Sequence, residues 1–145
     1  MARQFPQIVS FASAFTFALE AERACGDLAA AAGVLAPDDT WQAKLEELVC
    51  THDDRVEKLA DRRPNVDEPV RSLNGLDYLS TLGSEPVTGW PAAVEQLIAA
   101  EEEAAQYHED FSSECEGTLG DNARVFRKSA QQARAAAAEL RAMLG

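Results

Sequence analysis

The residues of this chain best suited to chemistry are carboxylates and imidazoles that interrupt apolar helical stripes. Along three predicted helices, steps of three and four residues meet apolar side chains except at Glu22, His52, Glu101 and His108. The two histidines are the only ones in the chain. Burying such groups without partners costs several kcal/mol. The pattern therefore predicts either mutual hydrogen bonds or a divalent metal, for which histidine and carboxylate are natural ligands.

Each of these residues also has an interpretation that needs no ligand. Glu20 precedes Glu22 by two residues, and a modest rotation of the helix would turn Glu20 inward or leave both at the edge. A histidine such as His52 on an apolar stripe is more often a hydrogen-bonded core or boundary residue than a ligand. Glu101 belongs to a run of three glutamates, which are usually solvated. His108 follows a tyrosine, and either side chain could face inward.

Motifs for other chemistry are absent from the sequence. It contains no Gly-rich phosphate loop, no GxSxG and no HExxH. Cys50 and His52 are two residues apart, so on a helix they face away from each other and do not form a thiolate–imidazole pair. The expectation therefore leans towards a protein that is not an enzyme.

Four helices are predicted to carry these residues, at about 5–32, 39–63, 91–116 and 119–144. Pro6 suits the first turn of the first helix, and Gly33 is expected to stop it. An aspartate before the second helix is expected to cap it. The connection at 64–90 is rich in proline and glycine and has no sustained period, apart from an expected helical turn around Leu73–Tyr78. The helices have similar lengths, which predicts one domain over residues 1–145.

Composition and charge limit the partners. The chain has 145 residues and a formal net charge of −12, which disfavours nucleic acid and anionic membranes. The third helix is acidic and the fourth basic, as expected for neighbours with complementary exposed faces. The three cysteines have no CxxC spacing, so each is expected to act as a small apolar residue in a reducing, cytoplasmic environment. No apolar run approaches the roughly 18 residues of a membrane span.

Four short motifs suggest a family. They are Ala18–Glu22 on the first helix, Leu45–Glu47 followed by His52, the run Glu101–Glu103 followed by Tyr107, and Phe126–Arg127. With these motifs the chain resembles the ferritin-like superfamily, in particular rubrerythrin-type domains. The resemblance covers the helices but not residues 64–90. It implies an all-α, antiparallel four-helix bundle with a long crossover between the second and third helices.

The chain departs from this family where iron would bind. Members with two irons use a glutamate on the first and third helices and Glu-x-x-His on the second and fourth. Here Val49 stands three residues before His52, and the fourth helix offers Gln132 and Ala135. The standard di-iron site is therefore expected to be absent, and ferroxidase, peroxidase or oxygenase activity is not carried over.

Two functions follow as expectations. The first is a non-enzymatic binding or structural protein of ferritin-like fold, without a cofactor, that pairs with an unidentified protein or with itself as a homodimer. The alternative is a metalloprotein with a non-standard site of Glu22, His52, Glu101 and His108, with Glu20 as a substitute for Glu22. Iron, manganese or zinc held there would do redox or metal-storage chemistry.

Overall fold

The protein is all-helical, as predicted from its sequence. A computed structural model describes residues 3–65 and 67–145. The helices are α1 Phe11–Leu35, α2 Asp39–Ala60, the short α3 Leu79–Leu82, α4 Ala92–Cys115 and α5 Gly120–Leu144. None of the described residues lies in a β-strand, and Ser10 and Pro69 make one isolated β-bridge.

The first helix begins later and ends later than the sequence suggests. It starts at Phe11 because Ser10 caps it: the Ser10 side chain accepts from the backbone N–H of Ser13, whose side chain accepts from the Ser10 N–H. The preceding residues lie beside the connection after α2, so they are extended rather than helical. The prediction that Gly33 stops the helix is wrong, since α1 continues to Leu35.

The other boundaries lie closer to the predicted ones. Asp38 caps α2 by accepting from the backbone N–H of Trp41, as the sequence indicates. The helix ends at Ala60, three residues before the predicted end at 63. Helices α4 and α5 begin and end within one residue of the predicted 91–116 and 119–144.

Helix α1 packs against both α2 and α4, and α5 packs against α4. The Tyr107 hydroxyl on α4 donates to the carbonyl of Ala14 on α1 at 2.6 Å. Between α4 and α5, the Ser112 hydroxyl donates to the carbonyl of Ala123 at 2.6 Å. Exposed ion pairs such as Arg141–Glu102 also join these two helices, so the acidic and basic helices are neighbours, as predicted. These contacts hold α1, α2 and α4, which carry the candidate site residues, against one another.

The connection between α2 and α4 is anchored to α4. A 3-10 turn at Gly75–Tyr78 lies where the sequence predicts a helical turn, and it continues into α3. The Glu103 carboxylate on α4 accepts from the backbone N–H groups of Thr81 and Leu82 in α3. The Tyr78 hydroxyl donates to Asp110, also on α4. The three consecutive glutamates therefore have different surroundings. Glu101 is buried, Glu102 pairs with Arg141 of α5, and Glu103 holds the connection.

Candidate metal site

Four side chains singled out from the sequence are buried together. Their exposed fractions are 2% or less for Glu22, His52, Glu101 and His108. Glu20 instead is partly exposed and accepts from Arg3 and Arg23. The alternative in which Glu20 faces the core is therefore wrong. The edge position considered for Glu22 and the solvated position considered for Glu101 are wrong as well.

His52 lies at the centre of this group. Its Nδ1 is 2.6 Å from Oε2 of Glu22 on α1, and its Nε2 hydrogen-bonds to Oε1 of Glu101 on α4. Gly26 on α1 lies close to it, and a Cβ there would be 3.4 Å from the Cβ of His52, at the edge of ordinary van der Waals contact. The imidazole, carried by α2, therefore bridges carboxylates of α1 and α4.

Two further side chains converge on Glu22. His108 Nε2 donates to its Oε1 at 2.8 Å, and the His108 ring stacks on Phe126 with centroids 5.7 Å apart. Arg55, which is 8% exposed, donates from Nη1 to both Glu22 oxygens at 3.1 and 3.2 Å. Sequence reasoning missed Arg55, although it lies one turn after His52 and so shares its helix face.

Cys25 was also missed as a functional residue. It is fully buried on α1, one turn after Glu22. The ligand-type atoms of Cys25, His52 and Glu101 all lie within 4.8 Å of one another. This buried group could hold a metal ion. The expectation that all three cysteines behave as small apolar residues fails for Cys50, which is exposed.

The charges in the cluster compensate each other. Burial acts to raise the pKa of Glu22, but hydrogen bonds from His108 and His52 and the charge of Arg55 outweigh it and hold that pKa well below its usual range. Burial acts to lower the pKa of His52, but the neighbouring Glu101 and Glu22 raise it to about 10. Glu22 is therefore a carboxylate and His52 an imidazolium near neutral pH.

The Cys25 thiol is protonated in this environment. Burial raises its pKa well above the usual value, and the charges of Glu101 and Glu22 raise it further. A neutral thiol between two carboxylates adds no charge to the cluster. It becomes a thiolate only when a strong positive charge arrives next to the sulfur.

Two buried polar atoms of the cluster have no hydrogen-bond partner among the described residues. They are Oε2 of Glu101 and Nδ1 of His108. Such atoms are rare in folded proteins because each forgoes its bonds to water without replacement. Both are metal-ligand atoms by type, and both sit in a group that already contains other ligand-type atoms.

A cleft connects the cluster to the surface between α2 and α5. It has a volume of about 250 Å³, and His52, Arg55 and Glu101 contribute to its lining. Gln132 and Ala135 of α5 line the same cleft. These are the two positions at which the sequence departs from the Glu-x-x-His that the resemblance implies. The small Ala135 side chain leaves space on the α5 side of this cleft.

Comparisons with protein-family models, with curated proteins and with solved structures give no match to the chain. Within the described part of the chain, none of the helices has the length and apolarity required to cross a membrane.

Proposed function

We propose that the protein binds a divalent transition-metal ion in the buried cluster of Glu22, His52, Glu101 and His108. The observation that carries the proposal is the convergence of these ligand-type side chains from three helices, with Oε2 of Glu101 left without a partner. Imidazole and carboxylate suit zinc, manganese and iron. Iron or manganese there would supply redox or storage chemistry, whereas zinc does not change its oxidation state.

The proposed scaffold is an antiparallel four-helix bundle of ferritin-like topology. Short links join α1 to α2 and α4 to α5, and a long connection separates the two pairs. Contacts of α1 with both α2 and α4 support this arrangement, as does the Asn122 side chain of α5, which donates to the carbonyl of Arg62 just after α2. Short, long, short is the pattern of connections in ferritin-like bundles.

A second candidate function is supported by Arg55. Its guanidinium brings a permanent positive charge to Glu22. Together with the His52 imidazolium it compensates the buried Glu22 carboxylate without any metal. The cluster would then be a structural ion-pair network, and the protein a non-enzymatic one that acts by binding a partner or a second copy of itself.

The proposal can be tested by equilibrium dialysis of the untagged, chelator-treated protein. The dialysis is run separately against zinc, manganese and ferrous ions. Retention of one of these ions by the wild type and its loss in His52→Ala are expected, because His52 lies at the centre of the cluster. Circular dichroism of both proteins checks that the variant is folded. Retention by His52→Ala equal to that of the wild type, or no retention by either, would refute the proposal and favour the structural network.

A further inference from the structure

We propose that the direct ligands of the ion are Cys25, His52 and Glu101, that Glu22 orients His52 rather than binding the ion, and that zinc is the preferred ion. The inference rests on the proposed metal-binding function and narrows it to one set of atoms. It changes the ligand set drawn from the sequence in two ways. Cys25, which the sequence indicates as a core residue, becomes a ligand. Glu22 and His108, which the sequence indicates as ligands, become supporting residues.

The distances favour this set. The ligand atoms of Cys25, His52 and Glu101 lie within 4.8 Å of one another, and this is the one such group among the described residues. Tetrahedral zinc holds sulfur at about 2.3 Å and nitrogen or oxygen at about 2.0–2.2 Å, so its ligands lie about 3.5 Å apart. All three separations lie within 4.8 Å, so side-chain shifts on the order of 1 Å would bring the three atoms to zinc-binding separations.

Glu22 has no free acceptor position for an ion. Its Oε1 accepts from His108 Nε2 at 2.8 Å and from Arg55 at 3.1 Å, and its Oε2 faces His52 Nδ1 at 2.6 Å. Glu101 differs, because its Oε2 has no partner among the described residues and is fully buried. The carboxylate available for an ion is therefore Glu101.

The hydrogen bond between Glu22 and His52 matches the support that metal-bound histidines receive. A ligand histidine usually donates its other ring N–H to a carboxylate, which fixes the tautomer and the ring orientation. Here Nδ1–H donates to Glu22, and this leaves Nε2 to face Glu101 and the ion. Arg55 and His108 hold the Glu22 carboxylate in turn.

Ligation by these atoms requires that the donor atoms carry no proton. A dication bound by the three side chains would therefore take the place of any proton on His52 Nε2 and on Cys25 Sγ, and those protons would pass to solvent.

The donor set selects the ion. One thiolate, one imidazole and one carboxylate suit zinc, whereas magnesium and calcium require oxygen ligands and manganese prefers them. Cobalt(II) accepts the same ligands as zinc and reports them, because a thiolate bound to cobalt gives a charge-transfer band in the near ultraviolet. Cobalt therefore serves as the spectroscopic probe, and magnesium as the ion expected not to bind.

The test compares cobalt spectra of the wild type, Cys25→Ala and Cys50→Ala. Cys50 is exposed and serves as the matched control. The wild type and Cys50→Ala should show the thiolate–cobalt band, and Cys25→Ala should lack it and bind zinc at least tenfold more weakly. A band that persists in Cys25→Ala would overturn the ligand assignment.

X-ray absorption of the zinc-loaded wild type makes the test independent of how well the variants fold. A sulfur neighbour at about 2.3 Å supports the assignment. Zinc bound with only nitrogen and oxygen neighbours overturns it while the proposed metal-binding function stands. A wild type that binds manganese or ferrous ions but neither zinc nor cobalt also overturns the ligand assignment alone. A wild type that binds none of these ions overturns both, so the two failures are distinguishable.

Discussion

Replacing Glu22 by glutamine measures how strongly the buried cluster stabilises the metal-free protein. Glutamine has nearly the shape of glutamate, so the change removes charge without opening a cavity. The Arg55 guanidinium and the His52 imidazolium would lose the carboxylate they share. Breaking a buried ion pair by removing one partner costs about 3–5 kcal/mol. The glutamine carbonyl still accepts hydrogen bonds, so we expect a loss of about 3 kcal/mol in the free energy of unfolding.

Glu20→Gln is the matched control, two residues away on the same helix. Glu20 pairs with Arg3 and Arg23 near the surface, where ion pairs contribute about 1 kcal/mol or less. Urea unfolding of both variants, followed by far-ultraviolet circular dichroism in the presence of a chelator, gives the comparison. With a slope of about 2 kcal/mol per molar urea, Glu22→Gln should lower the midpoint by about 1.5 M. Equal midpoints for the two variants would refute the view that the cluster stabilises the fold through Glu22.

Three other outcomes are expected. Between pH 6.5 and about 10 the folded metal-free protein keeps a proton on His52 that the unfolded chain has lost, so the free energy of unfolding in urea should fall as the pH rises through this window. The same dependence of this free energy on pH in His52→Gln would contradict the explanation. The pKa of Glu22 is depressed in the folded protein, so its contribution to the free energy of unfolding should be present above pH 4.5 and be lost as the pH falls through the folded-state pKa. Acid titration of Glu22→Gln should not show this loss. Tyr107→Phe removes a buried donor to the Ala14 carbonyl and should cost about 1 kcal/mol in urea unfolding, and a variant as stable as the wild type would show that this bond contributes nothing.

The sequence predicts the helices and the inward-facing polar residues because both follow from the 3.6-residue period. Glu22, His52, Glu101 and His108 interrupt apolar stripes, and a stripe position is enough to predict burial. The choice between Glu22 and Glu20 needs the rotation of α1, which depends on what packs around it. The period alone leaves that rotation open.

The sequence does not predict Cys25 and Arg55 as part of the candidate site, for two different reasons. Cysteine is a common core residue, so Cys25 on an apolar series carries no signal until the packing of three helices places it near His52 and Glu101. Arginine is usually exposed, and Arg55 is buried only because Glu22 on α1 faces it. The late start of α1 has a similar origin, since the residues before Phe11 contact the distant segment around Pro69.

Elemental analysis by inductively coupled plasma mass spectrometry tests the central claim most directly. The protein is purified without chelators or a histidine tag, analysed, and analysed again after separate incubations with zinc, iron and manganese and removal of free ions. Near-stoichiometric metal in the wild type, and little in His52→Ala, is the predicted result, because His52 bridges the carboxylates of the cluster. A wild type that remains free of zinc, iron and manganese after incubation with each ion would contradict the account and leave the cluster as a structural ion-pair network.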